Sequence, residues 1–330
     1  MTTVPAHKVP RRGIIDIHAD LPADVTKFRD LGERRVLDRR HLPKLRKGGV
    51  TALVAPVWVA SEFKPDRAMK RALHMIDCFY QDLAESQHFR VVTTRAELLR
   101  AEAAGKIAVI IGSEGAEFLE DDVGLMRVFY RLGMRVCGFV WNERNLLADG
   151  WHHHRDDRGL SELGRKLVEE ANDLHMLMDL THIAPKSFFD VLETTDSPVM
   201  VSHGATAVHK ALRNTTDEQL RALAKNGGVF GPFAVNHAQT RTLSDYVDHL
   251  ERAVKIMGIE HVALGPDFYD YLLDDIKKNS GEEMKLMEGL EDHTKLGAVA
   301  AELKRRGMPA KDIELISRGN FLRLMKTVVG

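Results

Sequence analysis

The stretch "GIIDIHADLP", Gly13 to Pro22, poses the question of fold. Ile14, Ile15 and Ile17 read as an apolar strand, and it ends in His18-Ala19-Asp20. Side chains i and i+2 of a strand share a face, which predicts that His18 and Asp20 point into the same space. Such a strand end is either a satisfied core histidine beside a helix-capping Asp, or one corner of a site. The rest of the chain has to decide.

Working outward, a short apolar run followed by an amphipathic stretch recurs along the chain, which is the pattern of βα units. The first runs lie at 13–20, 50–60 ("VTALVAPVWVA"), 107–114 ("IAVIIGSE") and 136–142 ("VCGFVWN"). The others lie at 175–182 ("HMLMDLTH"), 198–204 ("PVMVSHG"), 227–233 ("GGVFGPF") and 261–268 ("HVALGPDF"). Continuous apolar character, rather than alternation, suits parallel strands buried on both faces. Helical spacing and start and stop residues predict helices over 65–85, 215–228 and 244–258. Eight strands alternating with helices predict an α/β fold, a (β/α)8 TIM barrel spanning 1–330 as one domain. Segment 293–329 would supply its closing helices. An open doubly wound sheet is the competing arrangement.

Composition narrows the function. The 330 residues are 44% hydrophobic and 29% charged, enough for a sizeable core and an ordinary surface. A net charge of -1, with Lys and Arg scattered, offers no footprint for nucleic acid and no basic face for a membrane. Cys78 and Cys137 alone make no disulfide framework, so a zinc site would have to use His and carboxylates. The opening "MTTVPAHKVPRR" has no apolar h-region, and no run of about 18 apolar residues follows. A cytoplasmic location is the expectation.

Active sites of such barrels lie at the C-terminal ends of the strands. There the sequence places His18 and Asp20 on strand one, Glu114 on strand three, His182 on strand five, His203 on strand six and Asp267 on strand eight. Imidazole and carboxylate donors suit zinc, and this set exceeds what one ion needs. A natural division puts His18 and Asp20 on one ion and His182 and His203 on a second, with Glu114 bridging. Two zinc ions sharing a water can make it a hydroxide near neutral pH and polarise a carbonyl. Asp267 is then left as the proton carrier between attacking water and leaving amine; its alternative is a turn or capping role.

The words "DIHADLP" (16–22), "IIGSEG" (110–115), "GLSELGRKLVEEANDLHMLMDLTH" (159–182), "VSHGA" (201–205), "LRN" (212–214), "LGPDF" (264–268), "GLED" (289–292) and "GNFLR" (319–323) follow one another along the chain. In these words and their order the sequence resembles the renal (membrane) dipeptidase family, zinc peptidases of the amidohydrolase-like barrels. The resemblance implies two zinc ions per chain, one on His18, Asp20 and Glu114, the other on Glu114, His182 and His203. It also implies Asp267 as the catalytic aspartate, Arg213 as the residue that binds the substrate carboxylate, a small dipeptide substrate and a homodimer. A planar bidentate donor suits that arginine's role.

Two departures matter. After strand four, dipeptidases of known activity typically carry a histidine that helps hold the substrate; here that position is Trp141, followed by Asn142. The indole N–H is a donor only, so either it or Asn142 takes over, or the substrate differs. Ala234 stands where the family usually has an aromatic hydroxyl. A cyclic amide, a lactone or an N-acyl amino acid is therefore the second reading, and a catalytically silent binding barrel the third. No Lys stands near the end of strand four to serve as a carbamylated bridge, which favours the Glu114 bridge.

Other residues read as bland. "WHHHR" (151–155) is a loop, and His237 a lone histidine beyond strand seven. His74, His175, His209, His261 and His293 fall away from the expected active end, and Cys137 has no evident base partner.

Overall fold

The computed structural model describes residues 13–206, 214–235, 240–274, 277 and 284–330. Its strands are β1 (Ile14–Asp16), β2 (Val50–Trp58), β3 (Phe89–Val91), β4 (Ile107–Glu114), β5 (Val136–Gly138), β6 (Leu177–Asp179), β7 (Met200–Thr206), β8 (Asn214–Thr215) and β9 (Val229–Pro232). They form two sheets, β1-β2-β4-β3 and β5-β6-β7-β8 with β9 also on β7, and every pairing is parallel.

Single parallel bridges stitch the sheets into one ring: Ile111 to Met134 between β4 and β5, Phe230 to Val262 beyond β9, and Leu264 back to Asp16 of β1. Hydrogen bonds from Arg135 N to Ile111 O (2.8 Å), Ala263 N to Phe230 O (2.9 Å) and Ile17 N to Leu264 O (2.9 Å) complete the circuit. The fold is a (β/α)8 barrel.

Alternation sorts the apolar residues into two layers. Ile15, Ile17, Ala52, Val54, Ala108, Ile110, Val136, Leu177, Met200, Val229 and Ala263 fill the interior. Leu53, Ala55, Val57, Val109 and Ile111 face outward into the helices. The last helix, Asn320–Val328, adds Phe321, Leu324, Met325 and Val328 to the interior cluster. Side chains on and just before this helix grip strand starts: Asn320 Nδ2 donates to Ile259 O and Val262 O, Arg323 to Gly227 O, and Arg318 to Gly13 O. The N-terminal end of the barrel is thereby plugged, which leaves the C-terminal end for chemistry.

The helices that follow the strands are α1 (Leu21–Asp30), α2 (Leu42–Gly48), α3 (Ala68–Ala84), α4 (Arg95–Ala103), α5 (Met126–Arg131), α6 (Glu162–Asp173), α7 (Pro185–Thr194), α8 (Asp217–Lys225) and α9 (Leu243–Met257). Three of these answer the predicted 65–85, 215–228 and 244–258. Capping boxes at Thr216/Gln219 and Thr242/Asp245 start α8 and α9, and Gly258, at φ 90°, ends α9. Segment 293–329 breaks into helices Leu296–Arg305, Ala310–Glu314 and Asn320–Val328. Among the described residues no helix is long and apolar enough to cross a membrane.

The strands differ from expectation in extent. Run 261–268 pairs only through Val262 and Leu264, because Gly265-Pro266 follows and Pro has no N–H for a ladder. Gly265 is required there: a Cβ would lie 1.8 Å from the Ser202 carbonyl oxygen. Runs 13–20, 136–142 and 175–182 pair over three residues each before the chain turns into the site. β3 was not expected; it lies beside the first half of β4, pairing Phe89 to Ile107.

Candidate metal centre

Asp16 ends β1, and its Oδ1 accepts the His18 N–H at 3.0 Å. This Asx turn bends the chain, so His18 leaves the face of Asp16 and swings over the barrel axis. Strand parity therefore does not explain the convergence of His18 and Asp20; the turn does. Asp179 repeats the device at the end of β6: its Oδ1 accepts Thr181 N (3.0 Å), Thr181 Oγ1 (2.7 Å) and Ser202 N (3.0 Å), and His182 follows. His182 (φ 67°) and Asp267 (φ 53°) adopt the left-handed backbone conformation, which His and Asp tolerate better than most residues.

These turns bring six side chains together. Glu114, the last residue of β4, divides its carboxylate: Oε1 lies 2.7 Å from His182 Nε2 and 3.6 Å from His203 Nε2, and Oε2 lies 3.8 Å from His18 Nε2. Asp20 Oδ1 is 3.6 Å from His18 Nε2. Asp267 spans both sides, with Oδ1 3.9 Å from His18 Nε2 and Oδ2 3.6 Å from His203 Nε2. His18, Glu114, His182 and His203 are buried, and Asp20 and Asp267 are partly open. Arg213, Trp141 and Asn142 complete the residues expected here; Arg213 lies outside the described residues, as do His209 and His237.

Two observations ask for a cation. Asp20 stands at the N-cap of α1 yet its side chain makes no capping bond, and Asp20 Oδ1 and His18 Nε2 are both buried without a hydrogen-bond partner among the described residues. Burial opposes a charged His18, yet the carboxylates of Asp20, Glu114 and Asp267 outweigh it and raise its pKa to about 10. Negative charge gathered in a dry pocket is costly without a counter-ion. The donors group as His18–Asp20–Glu114 and Glu114–His182–His203, each set within bonding reach of one ion. All donors are N or O, which fits zinc.

The outer contacts aim the imidazoles. Ser202 Oγ lies 3.1 Å from His18 Nδ1, 3.2 Å from His203 Nδ1 and 3.2 Å from Thr181 Oγ1. A hydroxyl that accepts both Nδ1–H groups and donates to Thr181 leaves both Nε2 lone pairs facing the centre. Asn142 Oδ1 does the same for His182 Nδ1 at 2.8 Å. Asn142 is thus turned to a histidine rather than toward substrate. His293, read from the sequence as remote, holds Asp16 Oδ2 at 2.9 Å behind His18.

Trp141 lines the mouth, edge-on to Trp58 with ring centroids 5.3 Å apart and 5.9 Å from the His182 ring. Trp58 ends β2 in register with Glu114, and its buried Nε1 has no hydrogen-bond partner among the described residues. Tyr271, four residues past Asp267, carries a buried hydroxyl, also without a partner among the described residues, and rests edge-on against His41. Ala234 is buried, its N–H donated to Pro266 O. Cys137 is fully buried and its thiol is pushed up to about 12 by that burial, which rules it out as a nucleophile. Asp16, Asp179, Ser202, Trp58 and Tyr271 escaped the sequence reading. Their signal was faint: an Asp at the last strand residue in both "DIH" and "DLTH".

A barrel closed at one end, with two His–carboxylate donor sets sharing one Glu at the other, defines a metal-centred (β/α)8 protein. The chain belongs to the membrane dipeptidase family, peptidase family M19, whose model matches residues 8–329. Human Dipeptidase 3 is 30% identical over 337 residues, covering 96% of this chain and 65% of that protein. The chain thus spans just under two thirds of the length of that relative. The crystal structure of the dipeptidase AC, a metallo peptidase of family M19, superposes with a TM-score of 0.84 at 25% identity, covering 96% of this chain and 99% of the other. A metallo peptidase from Rhodobacter sphaeroides, liganded with a phosphinate mimic of the dipeptide L-Ala-D-Ala, shares the fold at TM-score 0.84 and 23% identity, covering 96% and 99%.

Proposed function

We propose that this chain is a binuclear zinc dipeptidase, and that its substrates include dipeptides with a C-terminal D-residue. The observation that carries the reading is the division of Glu114, one oxygen toward His18 and Asp20, the other toward His182 and His203. His18, Asp20 and Glu114 would hold one ion, and Glu114, His182 and His203 the other. Two bound zinc ions would supply Lewis acidity toward the scissile carbonyl and lower the pKa of water.

The chain's own groups supply the rest. Asp267, whose two oxygens face opposite sides of the centre, takes the proton of the attacking water and passes it to the leaving amine. Ser202 and Asn142, by taking the Nδ1–H of the three imidazoles, would leave each Nε2 as the ligand atom once an ion is bound. Arg213, by family resemblance, takes the C-terminal carboxylate of the substrate. Trp58 and Trp141 wall the mouth on the side of β2 and β5, where they limit water and meet an apolar part of the substrate.

Trp141 favours a second reading, hydrolysis of an N-acyl amino acid or a cyclic amide, since an indole meets an acyl chain as well as a peptide. Zinc-replete protein assayed on L-L and L-D dipeptides, with N-acyl amino acids alongside, separates the two. Dipeptide turnover with two zinc ions per chain is the expected result. Protein that retains no stoichiometric metal, with Glu114→Gln as active as the parent, would overturn both.

A further inference from the structure

Away from the barrel mouth, α1 and α3 meet at a second set of soft and hard donors. Asp30 is the last residue of α1, and His74 and Cys78 lie one turn apart on α3, so both project toward the same side of that helix. His74 Nε2 is 2.7 Å from Asp30 Oδ1 and 3.6 Å from Cys78 Sγ. Among the described residues this is the one group of metal-binding geometry outside the main centre, and the one that contains sulfur.

The distances suit a tetrahedral ion. Zinc bonds of about 2.0–2.1 Å to nitrogen and about 2.3 Å to sulfur place those two atoms about 3.6 Å apart. That is the His74–Cys78 separation found. Nitrogen and oxygen ligands stand about 3.3 Å apart on the same ion, so the His74–Asp30 hydrogen bond must open by about 0.6 Å. Both side chains can yield, being 45% and 43% exposed.

The two Asp30 oxygens already divide their work: Oδ1 faces His74, while Oδ2 takes Arg71 at 3.3 Å. Asp30 also ends a helix, where the carbonyl-rich terminus favours positive charge. Cys78 is 5% exposed, so its sulfur is shielded on the core side, and the exposed His74 and Asp30 leave a fourth position to water.

We propose that Asp30, His74 and Cys78 form a second, separate zinc-type site, a three-ligand His/Cys/Asp site that joins the end of α1 to α3. On binding, the thiol proton of Cys78 passes to solvent, the proton that His74 Nε2 gives to Asp30 is exchanged through solvent for one on Nδ1, and one metal–sulfur, one metal–nitrogen and one metal–oxygen bond form. Because Asp20 is the N-cap of α1 and Asp30 its last residue, an ion here clamps the helix that follows a main-centre donor.

Cobalt(II) is the probe, added to full-length protein whose main centre has first been filled with zinc. Thiolate ligation gives an intense sulfur-to-cobalt charge-transfer absorption in the near ultraviolet, which nitrogen and oxygen donors do not produce. The main centre holds no sulfur, so the band reports this site whatever the main centre does. One equivalent of cobalt should raise the band, Cys78→Ser should abolish it, and His74→Ala, a change at a half-exposed position, should weaken cobalt binding at least tenfold. The idea is overturned if folded protein shows no band with excess cobalt, or if the band survives Cys78→Ser. Unchanged cobalt affinity in His74→Ala would overturn it as well.

Discussion

The hydroxyl of Ser202 lies 3.1 Å from Nδ1 of His18, a residue 184 positions earlier in the chain. The same oxygen is 3.2 Å from Nδ1 of His203, so one side chain meets two imidazoles, one from each donor set. Asn142 Oδ1, in contrast, meets the Nδ1 of His182. Outer contacts of this kind typically contribute about 10- to 100-fold in metal affinity. Ser202→Ala should therefore weaken both ions, and Asn142→Ala only one of the two. Zinc competition with a graded chelator reads the difference; equal loss of both ions in the two variants would refute it.

The role proposed for Asp267, carrying a proton, is separable by experiment from holding the centre together. It occupies the left-handed backbone region at φ 53°, which Asn also tolerates, so Asp267→Asn should fold unchanged. An amide cannot carry the proton from water to leaving amine, and a lost general acid–base typically costs about 10²- to 10⁴-fold in kcat. Two zinc ions per chain should remain. Loss of an ion in this variant would make Asp267 a structural ligand instead.

The legible part of this molecule was its repeating units and the side chains at their ends. Apolar runs announce parallel strands because both faces are buried, and that holds for β2 and β4, which match their runs almost end to end. Where the chain leaves a strand to build the site, periodicity stops informing. His18 was expected to follow strand parity, yet Asp16 bends the backbone first through a side-chain hydrogen bond. His293 could not be placed because its partner, Asp16, is distant in sequence and close only once the ring closes. β3 is too short and too polar, at "FRV", to stand out from a loop.

The wall around α1 should show in the acid limb of stability. Burial works against a charged Asp24, but bonds to its Oδ2 from His41 (2.8 Å) and Arg40 (3.0 Å) hold its pKa below the ordinary 3.8. A carboxylate whose pKa is depressed in the folded state contributes stability above its unfolded value and loses it as pH falls through the folded value. Asp24→Asn should thus cost about 1–3 kcal/mol at pH 7. The gap between variant and parent should narrow below about pH 4. Urea midpoints at the two pH values test this, and an equal gap at both would remove Asp24's charge from the account.

By the family resemblance Trp141 stands where an imidazole is expected, and its surroundings define what an indole can do there. The ring is edge-on to Trp58, Lys64 Nζ lies 5.7 Å from its centroid, and the His182 ring lies 5.9 Å away. A side chain packed this way presents a face to the substrate in ground state and transition state alike, so its removal should raise KM with little change in kcat. Trp141→Ala should raise KM about tenfold, near 1.4 kcal/mol. Trp141→Phe keeps an aromatic face and should lie within about threefold of the parent, near 0.6 kcal/mol. If Trp141→Phe instead lowers kcat and leaves KM alone, the indole N–H, and not the ring face, meets the charge that develops on the carbonyl oxygen.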